Sequence, residues 1–369
     1  MSVLEVDLST CGYLGLHHVQ EQLRPWDCLS NSPPLLTDER NPLIETLLAR
    51  MASLQGCEAA LFATSTFHVL WDFFNAISDE EIVIYLEEGT YPIARWGVER
   101  AEARGVTVYS FPSHNPETLH AMLVKNEPGY RMPVVVVDGI SSQEWAHAPL
   151  SNYLRSIESF GGLLVVDDTH ALGLFGHSLK AVAPFGFGGG GSLQWHALQS
   201  PNVLLVSSLA KGFGVPIAVF SGSQQIVDWF QRASQTLVHC SPPCNPLLHA
   251  VENALNLNDS EGDERRNRLI ENIRGFQAIL QAAGISDLGP LFPIQCIDLP
   301  EDVDAAVFSQ MLQSRGVRVL VMHGEKRHPR IACCLTAAHS PAEIEFAAKV
   351  VVEVFANEQP HRGLGVRSR

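Results

Sequence analysis

Basic residues are scarce in this chain of 369 residues: 25 lysines and arginines face 40 aspartates and glutamates, a net charge of −15. Nucleic acids and anionic membranes reward basic patches, so neither is expected as a partner. Long apolar runs are also missing, since none approaches the roughly eighteen residues that a membrane span needs. No charged-then-apolar leader opens the chain, and a soluble, cytoplasmic protein is expected. The eight cysteines are scattered rather than spaced as a disulfide framework, so reduced thiols packed in the core are expected. Cys240 and Cys244, beside His239, lack the second close pair of ligands that structural zinc requires, and no metal site is expected. The neighbours Cys333 and Cys334 lie in an apolar run and read as core. There is no internal repeat. The one low-complexity patch, Phe185 to Ser192, holds a G-x-G-x-x-G spacing from Gly186 to Gly191. It follows no strand, and so it reads as a loop rather than a dinucleotide-binding turn.

What is present is a recurrent pattern of short apolar runs with helical stretches between them. The runs are Ile82–Leu86, Val106–Phe111, Val134–Asp138, Leu163–Asp167, Val203–Ser207 and Ile217–Phe220. Their apolarity is continuous rather than alternating, the mark of strands buried on both faces of a mostly parallel sheet. Polar residues gather where the runs end, as in an open α/β sheet with its site at the carboxyl edge. Asn115-Pro116-Glu117 reads as a helix start. Beyond about residue 245 the pattern changes to α+β. A helix is predicted over 263–283, short strands follow near 291–298, 317–320 and 330–335, and Ser340 with Glu343 forms a capping box for the last helix. The polar tail after Asn357 is expected to fray. At this length two lobes are expected. We divide the chain into an N-terminal arm (residues 1–30) contributing to a small domain, a large domain (31–244) and a small C-terminal domain (245–369).

Two of the predicted strands deliver reactive groups. The run Leu163 to Asp167 is followed by Asp168, Thr169 and His170. The run Val203 to Ser207 is followed by Ser208 and then by Lys211 in a glycine-rich turn, the only lysine between residues 181 and 325. A lysine that can form an imine, with a carboxylate that keeps a pyridine nitrogen protonated, is what pyridoxal 5'-phosphate asks of a protein. Strand alternation points Asp167 and Asp168 to opposite faces. Ser65 and Thr66 precede the helical run Val69–Ile77, where unpaired N–H groups favour an anion such as a phosphate. Ser208 supplies a further hydroxyl.

These segments resemble the α-oxoamine synthases, a family of fold-type I pyridoxal-phosphate enzymes that includes aminooxononanoate synthase and aminoketobutyrate ligase. The family pattern V-D-D-A-H-[SG]-x-G reads here as Val166-Asp-Asp-Thr-His-Ala-Leu-Gly173, and T-[FL]-x-K-[GA]-F-G as Ser208-Leu-Ala-Lys-Gly-Phe-Gly214. Further echoes are Tyr13-Leu-Gly-Leu16, Asp138-Gly-Ile-Ser-Ser142 with Ala148-Pro-Leu150, and Arg330 leading into Leu335-Thr-Ala-Ala-His339. They keep family order from about residue 7 to residue 355.

The resemblance implies an α/β fold, a large domain with a mostly parallel sheet plus a small C-terminal α+β domain. It implies that Lys211 carries the imine, Asp167 pairs with the pyridine nitrogen, and His170 and Ser142 hydrogen-bond the cofactor's ring oxygen. It gives Arg330 the substrate carboxylate. It also implies a homodimer in which Ser241 reaches the phosphate of the other subunit. Three segments depart from the pattern. Tyr91 stands where the family stacks a histidine on the cofactor ring, Cys11 stands where asparagine is expected, and Pro33 to Pro42 replaces a glycine-rich segment. An aromatic ring can still stack on the pyridine face, so Tyr91 is expected there.

The activity implied is condensation of an amino acid with an acyl thioester, on coenzyme A or an acyl carrier protein, with loss of carbon dioxide to give an α-aminoketone. An aminotransferase on the same scaffold is the alternative that Tyr91 favours. A non-catalytic or regulatory protein is the third reading, opposed by the intact set Asp167, His170 and Lys211.

Overall fold

The computed structural model describes residues 5–26, 28–29, 42–126, 129–178, 183–300, 302–324 and 327–357. The tail beyond Asn357 and most of the segment Pro33 to Pro42 lie outside the described residues. Two compact units divide the chain, Leu16–Asp263 on the one hand and Met1–Gly15 with Glu264–Arg369 on the other.

Strand β1 (Val6–Asp7) belongs to the second unit. The first unit is built on seven strands: β2 (Ala59–Ala63), β3 (Ile82–Glu87), β4 (Thr107–Phe111), β5 (Met132–Asp138), β6 (Leu163–Asp167), β7 (Val203–Ser208) and β8 (Ala218–Gly222). They form one sheet in the order β2-β8-β7-β6-β5-β3-β4. Strand β8 is antiparallel to both of its neighbours, and the other pairs are parallel. The helices α1 (Pro42–Gln55), α2 (Thr66–Ile77), α3 (Pro92–Ala103), α4 (Pro116–Asn126) and α5 (Leu150–Glu158) alternate with the strands. The start of α4 is set by Asn115, whose Oδ1 accepts from the Thr118 N–H at 2.8 Å.

The continuous apolarity of the central strands has a direct structural cause, because alternate residues of one strand feed different cores. Val134 and Val136, with Val165 and Val206, pack under α2 and α3 among Leu70, Phe73, Phe74 and Val98. Val135 and Val137, with Leu164 and Leu205, pack on the other face among Leu119, Leu123, Tyr153 and Ile157. Each such side chain, fully buried, contributes roughly 1.5–3 kcal/mol relative to exposure. The same parity sends Asp138 and Asp167 to the α2/α3 side and Asp168 to the other.

The second unit holds a parallel pair of β1 with β10 (Val317–Arg318), and an antiparallel sheet β11-β12-β9 of β9 (Ile294–Asp298), β11 (Leu320–Gly324) and β12 (Arg327–Cys334). The expected capping box is present: the Ser340 N–H donates to Glu343 Oε2 at 2.7 Å, and the Glu343 N–H donates to Ser340 Oγ at 3.3 Å. The helix predicted from residue 263 is longer than expected. It runs over Asn245–Ala282, through the division between the units. Among the described residues no helix is long and apolar enough to cross a membrane.

Candidate active site

Register alone assembles a row of strand ends at one edge of the large sheet. Asp138 ends β5 opposite Asp167, which ends β6. Asp167 pairs with Val206 of β7, and Ser208 pairs with Ala218, which pairs in turn with Ala63 at the end of β2. Two acids, the serine that precedes the lysine turn, and the chain entering α2 through Ser65 thus share the carboxyl edge. A surface cavity of about 610 Å³ lined by Glu80, Glu81, Arg104, Thr107 and Arg131 lies at the opposite edge, and none of the chemistry is there.

Lys211 sits in a one-turn helix, Leu209–Gly212, directly after β7. Its Nζ is 2.7 Å from His170 Nε2. Burial, and then the Lys211 charge, hold the His170 imidazole well below its ordinary range. The ring is therefore neutral, and Nζ–H donates to Nε2. Trp145, itself at φ +53°, stands edge-on to the His170 ring at 5.3 Å. Nζ also lies over the Tyr91 ring, 5.7 Å from its centroid. Tyr91 caps the start of α3, and its N–H donates to both carboxylate oxygens of Asp138, at 3.1 and 3.2 Å.

The two acids of the row differ in how they are held. Asp167 Oδ1 accepts from the Thr169 N–H at 3.0 Å, and the Thr169 hydroxyl accepts from the Ser208 N–H at 3.0 Å, tying the ends of β6 and β7 together. Burial raises the Asp167 carboxyl above its usual range, against the Thr169 bonds and the Lys211 charge. Asp138 is raised further, first by burial and then by the neighbouring Asp167. Two adjacent carboxylates in poor solvent call for a cation between them and Lys211. Asp168 is excluded from this pair. It is fully buried on the other face, where its oxygens accept from the Ser192 N–H at 3.1 and 3.3 Å, and burial lifts it to about 7.

Close backbone approach explains two motif glycines. A Cβ on Gly212 would lie 2.3 Å from the Leu172 carbonyl oxygen, and one on Gly173 would lie 2.8 Å from Gly212 Cα. The lysine turn thus packs flat against the segment that carries His170.

The other expected residues are placed as follows. Ser65 is the N-cap of α2: its Oγ accepts from the His68 N–H at 3.3 Å and is 2.8 Å from His68 Nδ1. Thr66 opens that helix. Ser208 Oγ accepts from the Ala210 N–H at 3.3 Å. Ser142, half-buried, follows β5 on the loop from Asp138. The backbone oxygen of Ser241 accepts from the Thr64 hydroxyl of the same chain at 3.3 Å, so this segment lies beside the start of α2 within one protomer. Arg330 lies on β12 in the second unit, paired with Asp298 (Nε to Oδ1, 3.1 Å). No group of three or more metal-ligating side chains occurs among the described residues. Sequence reasoning missed Asp138 as a site residue. Its signal was present in Val134-Val-Val-Val-Asp138, an apolar strand ending in an acid just as Leu163-Leu-Val-Val-Asp167 does.

These residues fit pyridoxal phosphate. The lysine amine is there to bond an aldehyde, the paired acids can receive a pyridinium, an aromatic face stands beside Lys211, and a serine-capped helix start lies on the same edge. The fold is that of a fold-type I pyridoxal-phosphate transferase. The chain belongs to the aminotransferase class I and II family, which it matches over residues 42–351. Among curated proteins it is 28% identical over 337 residues to 8-amino-7-oxononanoate synthase of Ralstonia pickettii, an alignment covering 85% of this chain and 77% of that one. It is 23% identical over 359 residues to the synthase of the same name from Thermoanaerobacter pseudethanolicus, covering 95% and 87%. Among solved structures, Sphingomonas wittichii serine palmitoyltransferase superposes with a TM-score of 0.83 at 15% identity, covering 96% of this chain and 88% of that one. The 8-amino-7-oxononanoate synthase of Francisella tularensis gives 0.72 at 15% identity, covering 96% and 98%.

Proposed function

We propose that this chain is a pyridoxal-phosphate-dependent acyltransferase that condenses an amino acid with an acyl thioester and releases carbon dioxide. The observation that carries the reading is the convergence of Lys211, His170, Asp167 and Tyr91 at one sheet edge, in a chain whose curated relatives are named 8-amino-7-oxononanoate synthase. When bound, the cofactor supplies a carbonyl carbon that amines attack and an electron sink for a carbanion. Lys211 holds the cofactor at rest. With a substrate amine in its place, the Lys211 amino group would be free to take the proton from the substrate Cα, and neutral His170, 2.7 Å away, would accept a hydrogen bond from that amine. Asp167 would keep the ring nitrogen protonated. Asp138 fixes the backbone of Tyr91, whose ring would cover one face of the cofactor. Ser65, Thr66 and Ser208 would receive the phosphate, Ser142 would add a donor to the ring oxygen, and Arg330 would bind the substrate carboxylate. The active form is a homodimer in the cytoplasm, with Ser241 contributing to the partner's phosphate site.

The test is a panel of amino acids given with and without acyl-coenzyme A, following release of the coenzyme A thiol and of carbon dioxide together. Both products appear only when amino acid and thioester are present. Conversion of an amino donor to its oxo acid without thioester would instead establish transamination, the reading that Tyr91 in place of histidine favours.

A further inference from the structure

Two sequence features that the proposed reaction leaves aside meet in space: Cys11, which stands where the family carries asparagine, and the vicinal pair Cys333-Cys334. Cys11 Sγ and Cys334 Sγ lie 3.2 Å apart, within one compact unit of the chain. The approach is fixed on both sides of Cys11. The Cys334 N–H donates to the Leu8 carbonyl at 2.8 Å, and the Ala337 N–H donates to the Tyr13 carbonyl at 2.9 Å. Leu8 and Tyr13 are fully buried, which holds the arm against the end of β12. Alternation along β12 sends Cys333 to the opposite face, so Cys334 is the thiol presented to Cys11. Cys11 is partly exposed, whereas Cys334 is fully buried. The contact with Cys11, and then burial, hold the Cys334 thiol far above its ordinary range.

We infer that Cys11 and Cys334 form a reversible disulfide when the protein meets a hydroperoxide. Cys11 reacts first, as its thiolate: the sulfur bonds one peroxide oxygen, the O–O bond breaks, and the other oxygen takes up the thiol proton and leaves as water or an alcohol, so that Cys11 becomes a sulfenic acid. The Cys334 sulfur then attacks the Cys11 sulfur. The S–S bond forms, the S–O bond breaks, and hydroxide departs with the Cys334 proton as water. Two thiols supply the two electrons that reduce one peroxide, and thiol–disulfide exchange with an added dithiol reverses the bond. Rotation of the two side chains is the movement that brings the sulfurs from contact to bonding distance. In a reducing compartment the pair rests as thiols, so the bond responds to oxidant rather than serving as a permanent staple. It would tie the N-terminal arm to β12 across 323 residues of sequence, and β12 is the strand that also carries Arg330. Cross-linking so large a loop restricts the unfolded chain strongly.

The full-length holoprotein is treated with hydrogen peroxide, alkylated, digested without reduction and mapped by mass spectrometry. Two of the eight thiols are lost, a peptide joining Cys11 to Cys334 appears, and the melting temperature rises and returns with dithiothreitol. Cys11→Ser abolishes both the linked peptide and the rise. Cys334→Ala leaves Cys11 as a sulfenic acid that dimedone captures. Should Cys334→Ala fail to fold, the wild-type map decides alone. Cys11 recovered singly oxidised with Cys334 still alkylated, Cys11 unreacted, or Cys334 linked to another cysteine would each overturn the inference.

Discussion

Replacing Tyr91 by alanine tests the least family-like feature of the site. The Tyr91 ring lies 5.7 Å from Lys211 Nζ and is 40% exposed. A cation–π contact that wet contributes about 0.5 kcal/mol. On the proposed reading the ring would exchange the ammonium for the face of an electron-poor pyridinium, which would also cover its exposed surface, a contact of about 1.5 kcal/mol. The difference is about 1 kcal/mol, so Tyr91→Ala should weaken equilibrium binding of pyridoxal phosphate roughly fivefold. Tyr91→Phe keeps the face and should stay within about twofold of wild type. Asp138→Ala removes the acceptor of the Tyr91 N–H and should act in the same direction, while Asp138→Asn, which keeps one acceptor oxygen, should recover part of the loss. The assay is equilibrium dialysis of the cofactor against stripped protein, with the visible absorbance of the bound form as a second readout. An alanine variant that binds as tightly as wild type would show that the ring does not cover the cofactor. A phenylalanine variant as weak as alanine would move the effect from the ring face to the phenol.

Three further outcomes are expected. Borohydride reduction of the cofactor-loaded protein should fix the label on Lys211, and Lys211→Ala should lose it; a labelled peptide containing another lysine would refute the assignment. Ser65→Ala removes the α2 cap, which should cost about 1 kcal/mol of stability in denaturant titrations, and should weaken pyridoxal phosphate more than pyridoxal if the same hydroxyl faces the phosphate. Asp168 has its carboxyl lifted by burial from an ordinary 3.8 to about 7. The folded state therefore binds the extra proton between those values, and stability falls as pH rises through that window, by ~2 kcal/mol between pH 5 and 7. Asp168→Asn keeps an acceptor for the Ser192 N–H and should remove that slope; thermal melts in which variant and wild type differ equally at both pH values would contradict it.

The central sheet was readable because its chemistry is repetitive. Val134–Asp138, Leu163–Asp167 and Val203–Ser207 are apolar on both faces, and each lies within an observed strand. Strand β2 escaped notice because Ala59-Ala-Leu-Phe-Ala63 has no β-branched residue; its place comes from pairing with β8 rather than from propensity. The first half of the helix Asn245–Ala282 was hidden by Asn253, Asn256, Asn258, Asp259 and Ser260, poor helix formers that tertiary contacts retain, as when Asn258 Nδ2 donates to the Gly188 carbonyl at 2.9 Å. At the site, Lys211 and His170 were legible as motifs. Their 2.7 Å contact was not, because it rests on the close approach of Gly173 and Gly212 in the turns that follow two different strands. Asp138 could have been read from its strand-end position, but its partner, the Tyr91 backbone N–H, leaves no trace in residue type.

The antiparallel strand β8 also bears on how the site is made during folding. Strands β7 and β8 close a hairpin over residues 209–217, with Ser208 opposite Ala218 and the Leu209 N–H donating to the Ile217 carbonyl at 2.9 Å. Lys211 lies inside that loop. A hairpin of this kind needs contacts between near neighbours in sequence and closes on the microsecond scale, whereas the parallel pairings β5–β6 and β6–β7 must wait for long crossovers to be drawn in. The lysine's turn can therefore take its native shape while the chain is otherwise open. Asp138 and Asp167 end strands that pair in parallel across much longer stretches of chain, so the lysine's turn and the acids beside it draw on contacts of different range.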